Sequence, residues 1–207
     1  MLKKARIAVC VSGGGTNLQA LINAQKKGVI KSGEIVLVIS SQYGAYALKR
    51  AEKNGIKAAV ANKKELGSQD AFEKRIIDLL EEEKIDFIIL AGFMSILSEN
   101  FTKRYANRII NVHPSLIPSF CGKGYYGLRV HEEALRYGVK VTGATVHFVN
   151  EIPDGGKIIM QKAVKIREND TPESLQKRVM KNAEWKILPE AAELVSSQIV
   201  KERKNSI

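Results

Sequence analysis

An amide and an imidazole stand two residues apart in Asn111-Val112-His113-Pro114, directly after Arg108-Ile109-Ile110. That run reads as the last buried strand before a long loop. Side chains alternate along a strand, so Asn111 and His113 share one face. Pro114 has no N–H for a sheet ladder, so the strand is expected to end at His113 and leave the pair at its carboxyl edge. In open α/β sheets ligands bind at that edge. A hydrogen-bond donor beside a titratable ring suits a polar reaction at a carbonyl. The plainer alternative is that both side chains terminate a strand and satisfy loop backbone.

Three further stretches carry chemistry. Ser12-Gly13-Gly14-Gly15-Thr16-Asn17-Leu18 joins an apolar run to a helical pattern, where backbone N–H groups can converge on an anion. It lacks the Gly-Lys-Ser/Thr ending of a Walker loop, and Leu18 replaces the third glycine of the dinucleotide fingerprint. Thr16 and Asn17 can add a hydroxyl and an amide to the backbone donors, and a single phosphomonoester suits such a loop better than a nucleotide. A tight turn that needs glycines for its backbone remains the alternative. Asp154, in Pro153-Asp154-Gly155-Gly156, is an ordinary hairpin signal unless the fold brings it to His113. There a carboxylate would raise the ring's pKa and fix its orientation. Leu90-Ala91-Gly92-Phe93-Met94-Ser95-Ile96-Leu97 is an apolar loop, either a core plug or the lining of a pocket for a flat ring.

The elements that position these residues follow from hydrophobic period. Ile7–Val11, Ile35–Ile39 and Phe87–Ala91 are continuous apolar runs, as expected of strands buried on both faces, and Ala58–Val60 is a weaker one. Helical patterns alternate with them: from Thr16-Asn17 to Lys27, Ala45 to Asn54, Asp70 to Lys84 and Leu97 to Tyr105. This order predicts an α/β fold with a doubly wound, mostly parallel central sheet. A glycine- and tyrosine-rich loop and a helix around Val130–Tyr137 follow. Ala144–Val149 and Ile158–Val164 are separated only by the turn Asn150–Lys157, so they form an antiparallel late strand pair. A last helix is expected from about Glu173 to Ser197, with Thr171 as N-cap, Pro172 at its first position and Pro189 kinking or splitting it. No linker or repeat interrupts the chain, and 1–207 reads as a single domain.

Composition sets the class. With 207 residues, 44% apolar and 27% charged, the chain is of ordinary globular make-up. No stretch approaches the ~18 apolar residues of a membrane span, and the first apolar run is too short for a signal-peptide core. A cytoplasmic location and no membrane partner are expected. The net charge of +11 raises a nucleic-acid reading. The basic residues are spread over helices and the tail, without interleaved aromatics, so a solvated surface attractive to small anions is preferred. Cys10 and Cys121 are far apart, and with three histidines they give no metal pattern. Cys10 is expected to be buried, and Cys121 could be an exposed thiol.

Taken in order, Ser-Gly-Gly-Gly-Thr-Asn-Leu, Ala-Gly-Phe-Met, Asn-Val-His-Pro-Ser-Leu-Ile-Pro, Thr-Val-His-Phe-Val and Pro-Asp-Gly-Gly form a specific set. The chain resembles the phosphoribosylglycinamide (glycinamide ribonucleotide) formyltransferases, folate-dependent enzymes of purine synthesis, from about Ile7 to Pro189. The resemblance implies a Rossmann-like formyltransferase fold and a formyl transfer from 10-formyltetrahydrofolate, as co-substrate and without metal, to the amine of glycinamide ribonucleotide. It implies a catalytic set of Asn111, His113 and Asp154, with Asn111 donating to the formyl oxygen and His113 held charged by Asp154. It places the substrate phosphate on Gly14, Gly15, Thr16 and Asn17, with Glu184 as a polar contact. It places folate against Gln69, Leu90, Met94, Ser95, Ile96, Leu97, Asn111, Val149, Asn150, Glu151 and Asp154. Small molecules are the implied partners of a monomer or homodimer, with no nucleic acid.

Three positions depart from the family's pattern. Members often carry a basic residue at Gln69 and an arginine at Ser95, which weakens those two folate contacts. Lys157 replaces a proline after Asp-Gly-Gly. Two related activities compete. A 10-formyltetrahydrofolate hydrolase (deformylase) shares the Asn–His–Asp set, but usually has a second histidine where Pro114 stands and an N-terminal regulatory domain. A methionyl-tRNA formyltransferase would need a further C-terminal domain. A non-catalytic RNA-binding protein rests on net charge alone.

Overall fold

Ala8, Val9 and Cys10 are buried on both faces because the strand they form lies inside the sheet. The computed structural model describes residues 3–205. Seven strands, β1 (Ala5–Val11), β2 (Gly33–Ser40), β3 (Lys57–Val60), β4 (Phe87–Leu90), β5 (Ile109–His113), β6 (Val141–Phe148) and β7 (Ile158–Lys165), make one sheet in the order β3-β2-β1-β4-β5-β6-β7. The first five are parallel. β6 runs antiparallel to β5, and β7 antiparallel to β6. The doubly wound, mostly parallel sheet with its antiparallel late pair is thus as the hydrophobic pattern predicts.

Helices cover both faces because alternate strand residues point to opposite sides. Ala5, Ile7, Val9 and Val11 pack in one cluster with α1 (Thr16–Lys26), α2 (Tyr46–Lys53), α7 (Pro172–Val179) and α8 (Trp185–Asn205). Ala8 and Cys10 pack in the other with α4 (Gln69–Glu82) and α5 (Glu99–Arg104). A short helix, α3 (Lys63–Leu66), capped by Asn62, has too few residues to show a period and is absent from the sequence reading. α6 (Arg129–Tyr137) precedes β6. Among the described residues no helix is long and apolar enough to cross a membrane.

The chain winds outward from β1 through β2 to β3, then crosses back to place β4 on the other side of β1. The carboxyl ends of β1 and β4 therefore diverge into loops on opposite sides of a crevice, the switch point of an open α/β sheet. The 12–15 loop leaves β1 there, and the 91–98 loop leaves β4.

The last helical stretch corrects one expectation. Thr171 caps α7 and Pro172 occupies its first turn, as expected. The break, however, is a π-helical turn at Met180–Glu184, while Pro189 lies inside α8. Pro189 cannot donate to the carbonyl four residues back. The extra residue of the wider turn is taken up just before that point, so α8 continues without a split at the proline.

Candidate active site

β5 ends at His113, with Pro114 next, and Asn111 and His113 project on the face shared with α4 and α5. Register then supplies a residue that the sequence reading omitted. Asn111 pairs with His147 of β6, and His113 with Thr145. Directly opposed residues on antiparallel strands have neighbouring side chains. Asn111 Nδ2 lies 3.3 Å from His147 Nε2, while His147 Nδ1 lies 2.8 Å from the Phe148 carbonyl. With the proton on Nδ1, Nε2 accepts from the Asn111 amide. The Thr-Val-His-Phe-Val stretch held the signal, but nothing short of the β5–β6 register says which side chain His147 faces.

Asp154 reaches the same face by an unexpected route. Phe148 pairs with Ile110, so β6 ends beside the start of β5, away from its carboxyl edge. The β6–β7 connection then folds back over the sheet. It sets Asp154 Oδ2 3.4 Å from His113 Nδ1 and Oδ1 3.5 Å from His147 Nε2. The Asn111 amide lies 3.5 Å from Oδ1, and the Gly122 N–H donates to Oδ2 at 2.9 Å. Asp154 itself holds a left-handed backbone at φ 57°. Gly156 follows because a Cβ there would collide with the Phe148 carbonyl. Only the Gly122 contact is a tight hydrogen bond; the others have the loose spacing common in catalytic sites without substrate.

Electrostatics corrects the expectation of a charged ring. Burial drives the His113 pKa below its ordinary value, and this outweighs the Asp154 carboxylate and the Phe120 carbonyl, which favour the charged form. His113 is therefore neutral at neutral pH in this state. Burial pushes the Asp154 carboxyl up, but the neighbouring His147 and His113 rings and the Gly122 N–H outweigh it, and the net shift is down. A neutral His113 can donate to only one of its two oxygen neighbours, Asp154 Oδ2 or the Phe120 carbonyl 2.9 Å from Nε2. A protonated ring would satisfy both. His131 is fully buried with neither ring nitrogen hydrogen-bonded; burial, then the nearby His113, lowers its pKa to about 4.

The glycine loop ends on α1. Gly15 has φ 70°, and a Cβ there would sit 2.6 Å from the Ala47 Cβ, so only glycine lets α2 approach. No side chain caps α1, which leaves first-turn N–H groups facing outward beside Thr16 and Asn17. Thr16 Oγ1 contacts Met180 Sδ at 3.8 Å. Asn17 Nδ2 donates to Glu184 Oε2 at 2.6 Å, and Asn17 Oδ1 is buried without a partner. The π-helical turn carries Glu184 to this point, and burial raises its pKa to about 7.

Two clefts meet at the Asn111–Asp154 contact. The smaller, about 140 Å³, is lined by Leu90, Ser95, Ile96, Leu97, Asn111, His147, Val149, Asn150, Glu151 and Asp154 among others. The larger, about 820 Å³, runs past Met94, Ile96, Asn111, His113 and Asp154 to the 122–127 loop. Gln69 lines neither; its amide donates to Glu73 at 2.6 Å and to the Ile96 carbonyl at 3.1 Å, so it props the 91–98 loop from outside. Cys10 is buried, its thiol pushed up to about 12. Cys121 is half-buried and donates to the Pro118 carbonyl.

Residues 5–192 match the family described as formyl transferase. Over 206 residues the chain is 34% identical to the chloroplastic phosphoribosylglycinamide formyltransferase of Arabidopsis thaliana, covering 99% of this chain and 70% of that protein. It is 46% identical over 197 residues to the trifunctional purine biosynthetic protein adenosine-3 of Gallus gallus. That match covers 95% of this chain and 19% of the relative, so the chain spans about a fifth of the trifunctional protein's length. Among solved structures, glycinamide ribonucleotide transformylase 1 from Symbiobacterium toebii superposes with a TM-score of 0.87 at 39% identity, over 94% of this chain and 89% of that one.

Proposed function

The chain belongs to the formyl transferase family, and from that premise we propose that it moves a formyl group from 10-formyltetrahydrofolate to the amine of glycinamide ribonucleotide in purine synthesis. The names of its relatives and structural neighbours support this reading. We read residues 1–207 as one domain devoted to that step, acting on small molecules in the cytoplasm. The observation that carries the assignment is the Asp154 carboxylate gathered with Asn111, His113 and His147 where two clefts meet.

The amine nitrogen attacks the formyl carbon, a nitrogen–carbon bond forms, and a carbonyl electron pair moves onto oxygen. The Asn111 amide is the donor for that oxygen, and His147 and Asp154 keep the amide in place. Loss of such a donor typically costs ~10²–10³ in rate. The pair then returns to re-form the carbonyl as the bond from that carbon to the folate nitrogen breaks; the amine must give up a proton, and the departing folate nitrogen must gain one. His113, neutral before the reaction, can take and return a proton, because both its neighbours, Asp154 and the Phe120 carbonyl, accept from the charged ring.

The phosphate rests on Gly14, Gly15, Thr16 and Asn17 at the α1 N-terminus, where free N–H groups and the helix dipole favour an anion. With its pKa near 7, Glu184 carries an uncharged carboxyl in a large share of molecules at neutral pH. It can then donate to a phosphate oxygen rather than repel it. The pterin fills the smaller cleft, against Leu90, Ser95, Ile96 and Leu97 on one side and Val149, Asn150 and Glu151 on the other. Mass spectrometry after incubation with both substrates should show the formylated ribonucleotide; free formate with no formylated amine would overturn the proposal.

A further inference from the structure

The Ser12 hydroxyl joins the loops leaving β1, β2 and β4. Its N–H donates to the Gly92 carbonyl at 3.0 Å. Its Oγ accepts from the Met94 N–H at 2.8 Å and lies 2.7 Å from Ser41 Oγ. Ser41 is buried, its own N–H bonded to the Val11 carbonyl, and its carbonyl takes the Asn62 amide at the end of β3. Ser12 therefore lies between two stretches with different tasks in the proposed function. Gly14 to Asn17 follow it on the phosphate side, and Met94 to Leu97 are tied to it on the donor side.

We propose that Ser12 is a positioning residue that fixes the spacing between these two loops, so that each substrate is held better when the other is bound. The inference rests on the functional reading above. Transfer between two bound molecules is sensitive to their separation, and a misplacement of ~1 Å can cost ~10²-fold. A ligand that orders one loop orders the other through the two hydrogen bonds that Ser12 makes with Gly92 and Met94. Removing the hydroxyl leaves the backbone bond to Gly92 intact but takes away the acceptor of the Met94 N–H. Ser12→Ala should weaken both substrates about 3–10-fold, the size expected for one hydrogen bond. A residue serving one subsite alone would move one affinity.

The test measures the dissociation constant of each substrate, with and without the other, in the parent, Ser12→Ala and Ser12→Thr, alongside amide exchange at Met94 in the free proteins. In the parent each ligand tightens the other. In Ser12→Ala both bind more weakly, the mutual effect shrinks, and the Met94 amide exchanges faster. Ser12→Thr, which keeps the hydroxyl, restores all three. An unchanged mutual effect, a change confined to one substrate, or unaltered Met94 exchange overturns the proposal. A parent protein without transfer activity contradicts the functional reading instead, and the exchange measurement, which needs no substrate, still decides the Ser12 link. If Ser12→Ala does not fold, Ser41→Ala removes the hydroxyl's buried partner and should give part of the same loss; parent-like affinities there overturn the proposal.

Discussion

Asp154 stands 3.4 Å from the Nδ1 of His113, although the strand that leads to it ends beside the opposite end of β5. The contact exists because the β6–β7 connection doubles back across the sheet, with a left-handed Asp154 and glycines at 155 and 156. It gives the histidine an acceptor that favours its charged form, against a burial that favours the neutral one. Asp154→Asn removes the charge and keeps the shape. The transfer rate should fall on the order of 10²–10⁴, with little change in melting temperature. Parent-like turnover in this variant, measured with both substrates saturating, would remove Asp154 from the chemistry.

His147 offers a separate test of the register. Its Nε2 faces both the Asn111 amide and Asp154, and its Nδ1 is tied to the Phe148 carbonyl. Replacing it by Leu leaves the amide without that partner. Turnover should drop about 10–100-fold through misplacement of Asn111, with a smaller change in KM. An effect on KM alone would mean that His147 only shapes the cleft.

Much of this site is legible in the amino-acid sequence. Period 2 and Pro114 placed Asn111 and His113 on one face at the end of a strand, and the Gly-rich junction marked the start of α1. Three features are not encoded in local sequence, and only the family resemblance brings Asp154 to the site. The β5–β6 register pairs residues 36 apart, Asn111 with His147, and no local signal encodes it. The return of Asp154 depends on a loop path rather than on propensity. The net direction of the His113 pKa depends on how deeply the finished fold buries the ring. Gln69 shows the same limit: its type suits a polar ligand, but Glu73 and the Ile96 carbonyl already occupy its amide.

Gly15 ties the glycine loop, the proposed phosphate site, to α2. Ala at this position would meet both the left-handed φ of 70° and the Ala47 side chain at 2.6 Å. Gly15→Ala should raise the KM for the ribonucleotide by about tenfold or more while leaving the KM for the folate donor nearly unchanged, the pattern of a lost binding contact. Steady-state kinetics with each substrate varied in turn decides it. Equal changes in both constants would argue against a phosphate role for the loop.

His131 and Glu184 pull stability in opposite directions over one pH range. The folded His131 resists protonation down to about 4, against an ordinary 6.5, so as pH falls the unfolded chain takes up the proton first and stability falls. His113 acts in the same direction. The folded Glu184 keeps its proton up to about 7, against an ordinary 4.5, so its contribution is present below 4.5 and is lost as pH rises through 7. The Glu184 loss therefore offsets the His131 gain between about 4.5 and 6.5, and the parent's stability should rise only shallowly with pH there, through His113. In Glu184→Gln the two histidines are no longer opposed, and the urea midpoint should rise with pH across that window more steeply than in the parent. A flat profile in the variant would show that burial does not shift these groups as described.

Transfer to an amine at the proposed Asn111–His113–Asp154 cluster can be followed through consumption of the 10-formyl donor. Absorbance is followed with and without glycinamide ribonucleotide, in the parent and in Asn111→Ala. Donor consumption should require the amine and fall by about 10²–10³ in the variant. Donor consumption that proceeds equally without the amine, or a variant as fast as the parent, would contradict it.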